Sequence, residues 1–163
     1  MVHEGYKLKI NRPKDLSNLT EDEKEHLPLI KAPDEVVEGN EFEVTVNVGH
    51  KPHPMKEEHY IEWIQLYFNG ELVEEKTFTP NDEKAEAKFK VYAKEDIIAA
   101  YQFENCYIHG YNVCGECDGK VVATSLTALG YCNTHGLWEE TRGIEVVSKD
   151  VGEGRVCTWT HRF

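Results

Sequence analysis

The 163-residue sequence predicts an all-β fold, an antiparallel sandwich. Three observations predict it. Short apolar stretches recur at regular spacing with turn residues between them. Several of these alternate apolar and polar residues with a period of two, the pattern of a half-buried strand. No long helical periodicity and no internal repeat interrupts them. At this length the chain buries a real core as a single domain, 1–163.

The elements follow in order. Residues 1–19 are polar and mixed, include Pro13 and read as an irregular arm. Thr20-Glu21-Asp22-Glu23 fits a capping box, so a short helical turn starts at Thr20. Pro28 stops it soon after, with His26 at its end. Pro33-Asp34 is a turn. Phe42, Val44, Val46 and Val48 alternate with Glu41, Glu43, Thr45 and Asn47, which is a strand. A histidine-rich loop follows. Tyr60–Phe68 is a second strand with Trp63 and Tyr67 on one face and Ile64, Leu66 and Phe68 on the other. Apolar residues on both faces make it central. Asn69-Gly70 is the strongest hairpin signal in the chain and leads into Leu72–Phe78. Ala85, Ala87, Phe89, Val91 and Ala93 alternate with Lys84, Glu86, Lys88 and Lys90, a half-exposed strand. Ile97–Phe103, Lys120–Leu129, Ile144–Val147 and Arg155–Trp159 complete the set.

Composition excludes some functions. Apolar residues make up 40%, enough for a folded core. Eighteen basic against 30 acidic side chains leave a net charge of −12, which repels nucleic-acid phosphates and favours solubility. The same field opposes an anionic substrate, so a site for one needs locally positive walls. No apolar run follows Met1-Val2-His3-Glu4, so we expect no signal peptide. No stretch is apolar enough to span a bilayer, and the chain reads as cytoplasmic. In that compartment five cysteines point to metal or redox chemistry rather than a disulfide frame.

Two stretches carry candidate chemistry. His50-Lys51-Pro52-His53-Pro54-Met55-Lys56-Glu57-Glu58-His59 is answered much later by Cys132-Asn133-Thr134-His135. Neutral imidazole suits Fe, Zn, Cu and Ni, and a thiolate softens the site. Pro54 keeps His53 out of a paired strand interior. Cys132 and His135, three apart in a turn, have a common reach for two ligands on one ion. Iron is the sharpest reading. On local sequence alone His26 reads as a surface histidine, and His50, Lys51 and Lys56 read as ordinary loop residues.

The two stretches, together with Glu25-His26-Leu27-Pro28 upstream, resemble the ligand segments of superoxide reductases (neelaredoxin and the catalytic domain of desulfoferrodoxin). Three ordered motifs make this a specific match, over roughly residues 21–148. The resemblance implies an immunoglobulin-like β-sandwich with the metal site at one end. It implies a mononuclear non-haem iron held by His26, His53, His59 and His135, with Cys132 as the thiolate and a sixth position open. It implies one-electron reduction of superoxide to hydrogen peroxide, a rubredoxin-like or ferredoxin-like electron donor, and a homo-oligomer. The family often carries Glu-Lys-His at the upstream histidine. Here the order is Lys24-Glu25-His26, which leaves Lys24 as the helper in substrate attraction and protonation. Lys51 and Lys56 could steer substrate against the overall field. Trp63 and Trp138 would pack around the site. The alternative is an electron-transfer metalloprotein of the cupredoxin kind, which needs a methionine shortly after the ligand loop, and none follows Cys132.

A second cluster lies in residues 102–119, which look inserted. Cys106, His109, Cys114 and Cys117 sit at knuckle-like spacing, and Cys157 is the remaining cysteine. Three readings stand: a tetrahedral zinc or single iron, a 4Fe–4S cluster on Cys106, Cys114, Cys117 and Cys157, or free thiols with a Cys114–Cys117 redox pair. The arrangement resembles methanoferrodoxin, a superoxide reductase variant with a 4Fe–4S cluster, and that resemblance favours the cluster.

Overall fold

A computed structural model describes residues 9–97, 105–106, 110–111 and 121–148, with the backbone alone at 105–106 and 110–111. Its strands are β1 (Ile10–Asn11), β2 (Pro28–Lys31), β3 (Glu35–Val37), β4 (Glu41–Val48), β5 (Ile61–Phe68), β6 (Glu71–Thr77), β7 (Glu86–Tyr92), β8 (Asn105–Cys106), β9 (Gly110–Tyr111), β10 (Val121–Cys132) and β11 (Gly136–Val147). The helical residues among those described are a short helix, α1 (Glu21–His26), and 96–97. The fold is the expected all-β sandwich. Its larger sheet has the order β1-β11-β10-β5-β6, with β3 also beside β11, and its smaller sheet the order β2-β4-β7. No helix among the described residues is long and apolar enough to cross a membrane.

Contacts divide the chain into two compact units, and β4, β7, β10 and β11 contribute one end to each. The first unit holds Met1–Lys31, Val44–Phe89 and Leu126–Arg142. There β5 lies between β10 and β6, antiparallel to both, as its two apolar faces predict. Ile64, Leu66 and Phe68 are buried while Trp63 and Tyr67 are half-buried. Trp63 stacks on Tyr131, its cross-strand partner in β10. The β5–β6 turn puts Asn69 at φ 51° and Gly70 at φ 80°, the positive pair that a tight hairpin turn demands. In the other sheet Val44, Val46 and Val48 of β4 are buried, each worth roughly 1.5–3 kcal/mol of transfer from water. The layers meet closely at Gly130, where an added Cβ would lie 2.9 Å from Val48 Cγ2.

The second unit holds Ala32–Glu43, Lys90–Ser125 and Gly143–Phe163. In it β3 runs parallel to the end of β11, with Val36 beside Val146. Gly39 N–H donates to Ala93 O, and Ala93 N–H donates to Asn40 O. Val36, Val91, Ala93, Val122, Ile144 and Val146 form its apolar core.

The structure departs from the sequence reading in three ways. Strand β11 starts at Gly136, not at Ile144, because polar Glu139–Arg142 hide the alternation that pairing along β10 makes irrelevant. Strands β1 and β3 pair parallel to β11, although an antiparallel arrangement was expected throughout. Strand β10 runs on to Cys132, past Leu129. Of the 102–119 insert, only the backbones of β8 and β9 are described, paired antiparallel. Where a strand was expected at Ile97–Phe103, residue Ile97 is instead helical, and the rest of that stretch and the strand expected at Arg155–Trp159 lie outside the described residues.

Candidate metal centre

Helix α1 begins with the capping box that the sequence predicts. Thr20 Oγ1 accepts from Glu23 N–H at 3.1 Å, and Glu23 Oε1 accepts from Thr20 N–H at 2.8 Å. Glu23 Oε2 also accepts from Lys14 N–H, so the carboxylate is buried yet fully occupied. The last turn carries His26, which is 1% exposed. Carbonyls at a helix end lack partners within the helix. Here Lys24 O accepts from Lys51 N–H at 3.1 Å, and Leu27 O accepts from Gly49 N–H at 3.0 Å. These two bonds stitch the histidine loop to the end of α1. The approach is close enough to require glycine: Gly49 has φ +92°, and an added Cβ would run into Lys51 O and lie 2.7 Å from Glu25 O.

In the loop, His53 is 5% exposed. A two-way backbone bridge between Lys56 and His59 then turns the chain back. Cys132 ends β10 just after a bulge at Tyr131/Cys132 and is fully buried. His135 sits in the turn before β11. Trp138, on β11, stacks on the His26 ring at 5.0 Å and 17° and donates its Nε1–H to His135 O at 3.1 Å.

These segments bring the five side chains together. One ligand atom each from His26, His59, Cys132 and His135 lies within 4.8 Å of the others. His135 Nδ1 is 3.1 Å from both His26 Nε2 and His59 Nε2, and 3.7 Å from Cys132 Sγ. The His53 ring lies 4.8 Å from that of His26 and 4.6 Å from that of His59, centroid to centroid. Lys24 is not among them. Its ammonium pairs with Glu21 at 3.4 Å. Charged neighbours are Glu25, with a carboxylate oxygen within 4.8 Å of ligand atoms of His53 and His59, and Asp22, with one within 4.8 Å of a His26 ring nitrogen.

Hydrogen-bond direction shows what this cluster is suited to. A carbonyl only accepts, so His26 Nδ1–H donates to Asp22 O at 2.8 Å and His53 Nδ1–H donates to Pro54 O at 2.6 Å. In the neutral rings both Nε2 atoms are left as lone-pair donors to a metal. His53 Nε2 is buried and has no hydrogen-bond partner among the described residues. His135 Nδ1 faces His26, His59 and Thr134 at once and can offer one proton among them. Converging lone pairs with too few protons fit a cation, and four imidazoles with one sulfur fit a borderline-soft one such as iron.

The sulfur is the charged member. Burial pushes the Cys132 thiol up, but the neighbouring His26 and His53 rings and Thr134 outweigh it and bring it down to about 3. Burial pulls the His26 imidazole down, yet the nearby Cys132 sulfur and the hydrogen bond to the Asp22 carbonyl more than reverse this. The donors differ in exposure: His135 is exposed and His59 half-buried, while His26, His53 and Cys132 are buried. A groove beside His53 is lined by Lys31, His50, Lys51 and Lys84. Three of these bases are already paired, Lys51 with Glu21, Lys84 with Glu86 and His50 with Glu140. Their positive field is largely spent, and the groove is a weak guide for an anion.

Sequence reasoning missed Gly49, Asn133 and the approach of Glu25. Asn133, between Cys132 and His135, bonds to Tyr60 and to Glu58 O. Its position inside the second motif was the one available signal. Cys114, Cys117, Cys157 and His109 lie outside the described residues, and of Cys106 the backbone alone is described. Neither the structure nor the relatives below support a 4Fe–4S cluster there.

The desulfoferrodoxin family model matches residues 18–114, which include His26, His53 and His59 and stop short of Cys132. A superoxide reductase of Pyrococcus abyssi is 33% identical over 132 aligned residues, covering 74% of this chain and 87% of that protein. Neelaredoxin of Megalodesulfovibrio gigas is 30% identical over 128 residues, covering 73% and 85%. Among solved structures, the superoxide reductase (neelaredoxin) of Ignicoccus hospitalis superposes with a TM-score of 0.59 at 28% identity, covering 84% of this chain and 94% of that one. With more than half of the chain inside the family model and relatives matched over most of their length, this chain belongs to the desulfoferrodoxin family of superoxide reductases.

Proposed function

We propose that this protein reduces superoxide by one electron to hydrogen peroxide, at a single iron held by His26, His53, His59, His135 and the thiolate of Cys132. The convergence of those five side chains, with buried His53 Nε2 unpartnered among the described residues, carries the proposal. When bound, iron supplies the exchange of one electron with a small oxygen anion. The protein's own groups do the rest. Asp22 O and Pro54 O hold the His26 and His53 rings with Nε2 free. Trp138 covers His26 and keeps water from that side. The exposed side at His135 admits a diatomic anion. Superoxide takes up one electron and two protons, and we assign Lys24 as the helper in attraction and protonation. Its pair with Glu21 is exposed and weak enough to leave. A rubredoxin-like or ferredoxin-like carrier returns the electron. A cytoplasmic homo-oligomer built from one domain, 1–163, with a cysteine-bearing insert at 102–119, completes the proposal.

The test is anaerobic purification followed by iron analysis and an absorption spectrum. We expect about one iron per chain, as five donors on one ion imply, and a thiolate-to-ferric charge-transfer band. Cys132→Ser should abolish both the band and superoxide reduction. Survival of both would overturn the ligand assignment.

A further inference from the structure

We propose that Asn133 is a positioning residue: its side-chain amide acts as a substitute peptide group that sets His59 against Cys132 and His135. This rests on the proposal that these three hold one metal. The observation is a clamp. Asn133 N–H donates to Tyr60 O at 3.1 Å, Asn133 Oδ1 accepts from Tyr60 N–H at 3.0 Å, and Asn133 Nδ2–H donates to Glu58 O at 3.4 Å. Glu58 and Tyr60 are the two neighbours of His59, so three bonds from one residue hold the backbone on both sides of that histidine.

The ladder explains why an amide is needed. Strand β10 pairs with β5 residue by residue as far as Tyr131 opposite Trp63, then slips at a bulge that places Cys132 opposite Ile61. The next main-chain bond, from Asn133 to Tyr60, is the last of the series before the chain turns toward His135. A main chain that turns there no longer presents its own carbonyl to Tyr60 N–H. Oδ1 takes that carbonyl's place, and Nδ2–H adds a bond to Glu58 O that no backbone group supplies. Asparagine offers both an acceptor and donors on one short side chain. Aspartate keeps the acceptor and loses the donor. Alanine loses both and leaves Tyr60 N–H without its partner.

The full-length chain is stripped of metal and titrated with Co(II) against a competing chelator, reading the component of the thiolate-to-cobalt band that depends on Cys132. Wild type should show the band, and Cys132→Ser should not. Asn133→Ala should weaken Co(II) binding by roughly 10–100-fold, the usual cost of losing a group that orients a ligand, and Asn133→Asp by less. The decisive comparison is a double-mutant cycle with His59→Ala. If Asn133 acts through His59, adding Asn133→Ala to His59→Ala costs less than about 2-fold further. Full additivity, or wild-type affinity in Asn133→Ala, overturns the clamp. Should Asn133→Ala fail to fold, Asn133→Asp carries the same cycle. A wild-type chain without the band overturns the metal proposal and the clamp with it, whereas a wild-type band with an additive cycle overturns the clamp alone.

Discussion

His26 and His59 arrive at one cluster of donors by opposite routes. His26 rides the last turn of a capped helix, and the bonds that set the helix span at most nine residues: Thr20 with Glu23, His26 with Asp22, Lys14 with Glu23. His59 closes a loop through its bridge with Lys56, and the backbone on either side of it is held by Asn133, whose bond to Tyr60 spans 73 residues. The first arrangement forms as soon as the local chain does. The second forms only when β5 and β10 are already paired. Local bonds are redundant and survive single losses, whereas a clamp across the fold rests on one side chain.

The largest expected effect comes from breaking the seam between the two regions. Gly49→Ala should cost about 3 kcal/mol or more, because it adds a left-handed backbone penalty to a clash with Lys51 O and Glu25 O. Urea unfolding measures it, and a loss below about 1 kcal/mol would show that the loop can shift without harm. Thr20→Ala tests the redundant side. It should cost about 1 kcal/mol of stability and leave Co(II) affinity almost unchanged, the reverse of Asn133→Ala. A large loss of affinity in Thr20→Ala would erase the distinction.

The smallest expected effect is an invariance. Cys132 Sγ lies among groups from both regions and its thiol is held near about 3, well below the ordinary thiol value. A depressed folded value means that the ionised thiolate contributes stability that is full above the ordinary thiol value and is lost as pH falls through about 3. In the metal-free chain, the ultraviolet thiolate absorbance that Cys132→Ser removes should therefore stay constant from about pH 8 to about pH 5. A fall in that difference would mean that the His26 and His53 rings and Thr134 do not outweigh burial.

Much of this was legible in the sequence. The alternation of Phe42–Val48, the doubly apolar Tyr60–Phe68, the Asn69-Gly70 turn and the capping box at Thr20 all appear where their residues place them. Each is a statement about neighbours in the chain. Strand β11 was legible only at its end, because Glu139–Arg142 alternate poorly and take their conformation from β10. The order Lys24-Glu25-His26 gave Glu25 no role, yet the end of α1 delivers its carboxylate to His53 and His59.

By itself, the order of residues determined the all-β architecture, the helix cap and the list of imidazoles and sulfur, because periodicity, capping and ligand chemistry are properties of residue type and spacing. The tertiary structure alone decided that these donors meet, which ring nitrogens stay free and that Asn133 holds His59. Those outcomes depend on pairings between segments far apart in the chain, and no local pattern encodes the register of such a pairing.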